Sequence, residues 1–262
     1  MSLNDQSSFI KVLSKTWSLV DTSAWQNRGL PLEWLKKLSD LSQLCSDEDL
    51  LQEVAKDYER FNDSKTDADK YCLVDRIFIR LVPLLEILVH VDSDEPYVIS
   101  FDGLAGSGKT TLANLLGQVL NSSLVHMDDF FLPLNLRSKE REDQAGGNVH
   151  YERFRDQVVD NLKSGEAFSY ARFDCKIMDY SEEVIIRQTP FIIVEGSYSR
   201  HPYFGDYSDL KVFCLVSESE QKSRIEKRNG KDMLKVFESK WIPMENKYLK
   251  TFKIKEKSDI LV

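Results

Sequence analysis

Tyr97-Val98-Ile99-Ser100-Phe101-Asp102-Gly103-Leu104-Ala105-Gly106-Ser107-Gly108-Lys109-Thr110-Thr111 is the stretch that decides the reading of this chain. Tyr97 to Phe101 is apolar and rich in β-formers, which predicts a buried strand, and from Lys109 to about Leu120 the pattern is helical. Between them, residues 103–110 match GxxxxGK[ST] in full. Glycines at 103, 106 and 108 let the backbone wrap an anion with its N–H groups inward, and the helix that follows points its positive end at the same place. Gly103, Ala105, Gly106, Ser107, Gly108, Lys109, Thr110 and Thr111 are therefore candidate nucleotide-phosphate contacts. Lys109 would neutralise the β/γ oxygens, and the Thr110 hydroxyl would hold Mg²⁺.

The surrounding elements repeat the alternation. Short apolar runs at 123–127, 191–194, 211–216 and 260–262 are separated by helical stretches at 149–163, 217–228 and 232–250. This predicts a three-layer α/β domain with a parallel sheet over 96–262. Upstream, Asp92-Ser93-Asp94-Glu95-Pro96 is polar, carries a proline and marks a change of periodicity, so the boundary is placed there. Residues 1–92 read as an α-helical N-terminal region, broken at Gly29 and Pro31, with Ser46-Asp47-Glu48-Asp49 as a capped helix start. Its strongest helix is expected from about Asp67, where Tyr71, Val74, Phe78, Leu81, Leu85 and Leu88 recur every three or four residues and Pro83 predicts a kink.

Composition narrows the function classes. The formal charge of −8 is concentrated upstream, where residues 1–95 carry 18 acidic and 11 basic side chains, net −7. An acidic surface repels a polyphosphate backbone, which argues against a nucleic-acid partner and for a small-molecule substrate. No stretch reaches the roughly 20 apolar residues of a membrane span; the richest run, 81–91, contains Pro83, Glu86 and His90. Residues 1–20 lack a signal peptide's continuous apolar region and cleavage site, so a cytoplasmic protein is expected. Cys45, Cys72, Cys175 and Cys214 are far apart with no CxxC, which suggests neither a disulfide framework nor a zinc site.

The acidic residues at strand ends carry the chemistry. A second strand ends in His126-Met127-Asp128-Asp129-Phe130-Phe131, at the edge of a parallel sheet where ligands bind. A carboxylate there can take the proton of an attacking hydroxyl, and Asp128 is the candidate base. The alternative is that Asp128 and Asp129 cap the next segment or hold Mg²⁺ through water. Phe191-Ile192-Ile193-Val194-Glu195-Gly196 is another buried strand ending in an acid, the Walker B arrangement, which would bring Glu195 near Thr110 to orient the Mg²⁺ shell.

Together GLAGSGKTT, HMDDFFLP and IIVEGSYS resemble the uridine kinase and phosphoribulokinase branch of P-loop kinases, which includes bacterial pantothenate kinase, over roughly 97–262. The resemblance implies transfer of the ATP γ-phosphate to a hydroxyl of a nucleoside or related small metabolite, with Asp128, the first acid of the family's D-x-F-[YL] motif, as catalytic base. Ser223 to Arg228, followed by Trp241, Pro243, Glu245 and Tyr248, is similar to the family's lid helix, here near 217–232, and the helix after it. That likeness implies that Arg224 and Arg228 close over the phosphates. It also implies an acceptor pocket built from Tyr151 and Arg153, together with Tyr170, Arg172, Phe173 and Asp174. Uridine kinases carry a pattern like DHPDAFD where this chain has His150-Tyr151-Glu152-Arg153-Phe154-Arg155. An arginine cannot accept hydrogen bonds from ribose hydroxyls and favours an anionic acceptor.

Other readings stay open at this level. The acceptor could be pantothenate or a sugar phosphate, or the chain could be a nucleotide-binding regulator with a degenerate acceptor site. Asn229-Gly230-Lys231-Asp232 has the letters of the guanine-reading N-K-x-D motif in the wrong order, which favours ATP over GTP. The N-terminal region could serve as a dimerisation module, making the protein a homodimer.

Overall fold

The computed structural model describes residues 10–12, 17–44, 71–175 and 177–262. The chain divides into two compact units, Met1–Asp92 with Gln118–Leu120, and Ser93–Gly117 with Asn121–Val262. In the first, β1 (Ile10–Val12), β2 (Trp17–Asp21) and β3 (Tyr71–Asp75) form an antiparallel sheet in that order, and α1 (Thr22–Asn27) and α2 (Leu32–Leu44) follow β2. Asp21 starts α1 by accepting the Ala24 N–H at 2.9 Å.

This sheet corrects the all-helical reading of 1–92. In place of one long helix the chain forms β3, a 3-10 segment (Arg76–Leu81) and α3 (Val82–Leu88). Val74, Phe78, Leu81, Leu85 and Leu88 are all buried, so the apolar spacing does mark one packed face. A strand residue followed by a turn of 3-10 helix gives the same three- and four-residue spacing as a continuous helix, and periodicity alone does not separate them. The transition lies at Asp75, whose carboxylate accepts the Ile77 N–H at 2.8 Å. Pro83 stands in the first turn of α3, where its missing N–H is no loss, so it opens a helix instead of kinking one. The helix start expected at Ser46-Asp47-Glu48-Asp49 and the Cys45 thiol lie outside the described residues.

The second unit contains β4 (Tyr97–Gly103), α4 (Lys109–Leu120, which ends in the three residues assigned to the first unit), β5 (Ser123–His126), α5 (Lys139–Glu142) and α6 (Tyr151–Gln157). The hairpin β6 (Phe168–Asp174) and β7 (Asp179–Ile186) follows, then β8 (Phe191–Glu195) and β9 (Leu210–Cys214). The chain closes with α7 (Glu218–Asn229), α8 (Lys231–Val236), a π-helical turn (Phe237–Trp241), α9 (Ile242–Phe252) and β10 (Ile260–Leu261). The central sheet is parallel throughout, in the order β10-β9-β4-β8-β5, flanked by helices. Ile99, Phe101, Ile192, Ile193, Val194 and Val212 are fully buried, as strands covered on both faces require. Among the described residues no helix is long and apolar enough to cross a membrane.

The order of strands brings the ends of β4, β5 and β8 side by side, and close approach is needed where they meet. Gly196, with φ +142°, follows β8 at a point where a Cβ would stand 2.6 Å from the Met127 Cβ. Gly196→Ala is therefore expected to lower stability by roughly 1–3 kcal/mol. The check is the denaturant midpoint of the purified chain, and an unchanged midpoint would show that the two strand ends do not need this contact.

Candidate active site

The cradle begins where β4 stops. Gly103 has φ +149°, and a Cβ on it would stand 2.7 Å from the Cys214 carbonyl oxygen of β9, so only glycine lets the chain leave the sheet here. Helix α4 starts at Lys109 directly after the loop, and its cap, Gly108, brings no side chain to the free first-turn N–H groups. Ala105, Gly106, Gly108, Lys109, Thr110 and Thr111 line a cavity of about 540 Å³. Asp128, Arg224 and Arg228 line the same cavity. Ser107 is buried within the loop and its hydroxyl has no hydrogen-bond partner among the described residues, whereas Gly103 serves the turn.

Thr110 and Glu195 are also together. The Thr110 hydroxyl donates to Glu195 Oε2 at 2.9 Å, while His126 Nδ1 lies 2.6 Å from Glu195 Oε1. Parallel pairing places His126 opposite Glu195, which explains the second contact. That hydrogen bond is the main cause holding the His126 pKa above its ordinary value. Thr110 gives its hydrogen to Glu195 and keeps its lone pairs for a cation. Among the described residues no cluster of three or more His, Cys, Asp or Glu forms an all-protein metal cage. One hydroxyl backed by a carboxylate, completed by water and phosphate oxygens, fits Mg²⁺, which keeps much of its hydration when bound.

Asp128 and Asp129 are neighbours in sequence with opposite environments. Asp129 is buried, accepting the Tyr170 hydroxyl at 2.9 Å and Arg172 Nε at 3.0 Å. Asp128 is exposed, but to the cavity, with protein crowded around it. Loss of hydration pushes its pKa up; Lys109 opposes this and Glu195 adds to it. The Lys109 ammonium is 3.4 Å from the Leu104 carbonyl, folded back on its own loop.

Two buried acids that the motif does not include hold the loop in place. Asp102 accepts the Gly103 N–H and the Tyr248 hydroxyl, each at 2.7 Å. Glu245 Oε2 accepts the Ala105 N–H at 2.9 Å, and its Oε1 lies 2.9 Å from Ser197 Oγ. Ser197 Oγ is also 2.9 Å from the Gly103 carbonyl oxygen, which can only accept. The Ser197 hydroxyl thus stands between the Glu245 carboxyl and the Gly103 carbonyl and ties the helix to the start of the loop. Burial pushes the Glu245 pKa up, and Lys109 pulls against it. On the other side of the loop, Gln221 Nε2 and Arg224 Nη1 donate to the carbonyls of Ala105 and Gly106, each at 3.0 Å, fixing α7 against it. Arg228 Nε turns to Asn229 Oδ1 at 2.7 Å.

None of the six residues expected at the acceptor lines the cavity. Arg153 is buried and donates to the carbonyls of Ala171 and Asp129, while Tyr170 and Arg172 are held by Asp129. Tyr151 lies under the Arg141 guanidinium, 3.6 Å away, and stacks on His201. Phe173 is core, and Asp174 accepts the Met178 N–H through its backbone oxygen. Arg155, which the sequence singled out, lies over Tyr203 outside the cavity. In their place the cavity presents Phe131, Arg137, Asn148, Cys175, Tyr198 and Trp241. A single sequence carries no signal for Arg137 or Asn148, since neither belongs to a periodic or motif position. Asp102 did carry one, as a charge inside an apolar strand.

The raised pKa of Glu245 makes a sharp prediction. A carboxyl whose folded-state pKa is raised contributes its full stability below the unfolded value near about 4.3 and loses it as pH rises through the folded one. Glu245→Gln keeps an acceptor for the Ala105 N–H without an ionisable proton, so its thermal midpoint should fall less with rising pH than that of the parent. Glu245→Ala strands the Ala105 N–H and should cost roughly 1–3 kcal/mol. A glutamine variant whose midpoint falls with pH as steeply as the parent's would show that Glu245 does not supply this dependence.

No protein-family model matches the chain. A pantothenate kinase of Shewanella halifaxensis is 27% identical over 166 residues, covering 53% of this chain and 52% of that protein. Uridine-cytidine kinase D of Dictyostelium discoideum is 24% identical over 138 residues, covering 53% of this chain and 27% of that one. The chain thus spans about half the length, or less, of these curated relatives. A solved structure described as a possible uridine kinase from Bacillus stearothermophilus superposes with a TM-score of 0.55 at 22% identity, covering 71% of this chain and 98% of that one. The chain therefore has the fold of that P-loop protein and resembles, over about half of its sequence, kinases named for pantothenate and for uridine and cytidine.

Proposed function

We propose that the chain is an ATP-dependent phosphotransferase that moves the γ-phosphate onto a hydroxyl of a small metabolite. The observation that carries this reading is one cavity lined at once by a carboxylate, Asp128, by the cradle lysine, Lys109, and by two arginines, Arg224 and Arg228. The cradle N–H groups and Lys109 bind the ATP phosphates and orient the terminal one toward Asp128. The acceptor hydroxyl gives its proton to Asp128, its oxygen forms the new bond to the γ-phosphorus, and the bond to the bridging oxygen breaks to leave ADP. Lys109, Arg224 and Arg228 stabilise the charge that moves onto the transferring group and the leaving oxygen. Thr110, held by Glu195, would carry Mg²⁺, which supplies charge neutralisation at the phosphate oxygens when bound. Helix α7, fixed to the loop by Gln221 and Arg224, shields the site from water.

Asp128→Asn is expected to lower turnover by about 10²–10⁴ while leaving ATP binding in place, scored as ADP release against an array of hydroxyl-bearing metabolites. Near-parental turnover in this variant would sink the reading. A base works deprotonated, so kcat/KM should decline as pH falls through the raised Asp128 pKa, above the ordinary range for an aspartate. Lys109→Ala should abolish transfer to every acceptor.

A further inference from the structure

Beside the cradle and the lid arginines, the cavity has a second polar set that phosphoryl transfer does not use: Arg137, Asn148 and Tyr198. Leu132 builds the first two into one unit. Its N–H donates to the Asn148 carbonyl at 3.0 Å, and its own carbonyl accepts Arg137 Nε at 2.7 Å. That second bond fixes the plane of the guanidinium and leaves the four N–H groups on its outer nitrogens uncommitted. Arg141, Arg172 and Arg224 of the same unit each pair with a carboxylate, whereas Arg137, half-buried, pairs with none among the described residues. The Asn148 carboxamide is 6% exposed and Tyr198 is 2% exposed. The two side chains neighbour each other, and their polar atoms make no other hydrogen bond among the described residues.

A positive fork with one edge pinned and the other open, beside a buried amide and hydroxyl with donor capacity to spare, is a receptor for a planar or tetrahedral anion. It adjoins the reacting end of the cavity. The charges of Arg137 and Asp128 both bear on the Cys175 thiol, in opposite directions, and Asp128 precedes Leu132 by four residues on a continuous segment. Phe131 and Met178 line the cavity with them, so room remains for an apolar portion.

We propose that Arg137, with Asn148 beside it, binds an anionic group on the phosphate acceptor, so that the acceptor is a small hydroxy acid or a hydroxyl-bearing phosphate monoester and not a neutral nucleoside. This rests on the phosphotransferase reading and names its substrate class. The anionic group takes no part in bond making; it anchors the molecule so that a hydroxyl reaches Asp128.

The test is ADP release from Mg-ATP with three sets of acceptors: hydroxycarboxylates, sugar phosphate monoesters, and the corresponding neutral sugars and nucleosides. Turnover with the first or second set identifies carboxylate or phosphate as the anion. For that acceptor, Arg137→Met should raise KM by about 10- to 100-fold, with kcat changed less and ATP affinity by calorimetry within about threefold of the parent. Arg137→Lys should recover part of the loss. Preference for neutral acceptors, with KM unmoved by Arg137→Met, overturns the inference and leaves the phosphotransferase reading standing. Loss of ATP affinity equal to the loss in KM also overturns it, because Arg137 would then serve the nucleotide. ADP release with no acceptor of any set, under conditions where ATP binds, overturns the phosphotransferase reading and this inference with it.

Discussion

The hydrogen bond from the Ala105 N–H to Glu245 anchors the phosphate loop from outside the loop itself. A glycine-rich turn is free to take many shapes, and ordering it costs conformational entropy that the loop cannot repay from its own few side chains. Here the repayment comes from outside. Glu245 and Tyr248, one turn apart on α9, reach the loop through Ala105 and, by way of Asp102, through Gly103. Gln221 and Arg224 hold the carbonyls of Ala105 and Gly106 from α7. Helices more than 100 residues downstream therefore shape the cradle, so the proposed phosphate binding draws on the whole unit.

The division of labour between Asp128 and Asp129 follows from the same economy of polar groups. Buried carboxylates need donors, and the hairpin supplies them to Asp129 through Tyr170 and Arg172. These bonds tie the hairpin to the turn bearing the two acids. Asp128 is left facing the cavity, with Lys109 as the opposing charge. Arg153, Tyr170 and Arg172, expected at the acceptor, are instead bonded to Asp129 beside the proposed base.

Legibility in the sequence tracked how local the physics was. The cradle was readable because its glycines, lysine and threonine answer demands that a nine-residue stretch imposes on itself. Asp128 and Glu195 were readable as acids at the ends of apolar strands. The contact of His126 with Glu195 was not, because it depends on which strands become neighbours. Arg137 escaped for a related reason: it reaches the cavity through a bond to Leu132, whereas Arg155, on a helix with helical spacing, caught the eye and lies elsewhere. Strand β3 was misread because its apolar residues continue in phase into the helical turns that follow it.

The π-helical turn at Phe237–Trp241 lies within an otherwise continuous helical run from Lys231 to Phe252. An α-helix advances about 100° per residue, so a register error of one position swings every later side chain by that angle. An α-helical turn needs one residue fewer, so the wide turn is where the run takes up an extra residue while Glu245 and Tyr248 keep facing the loop. The wide turn thus acts as a phase setter. Within the α-helical stretches on either side, a one-residue change in length has no such outlet and would swing both side chains by about 100°.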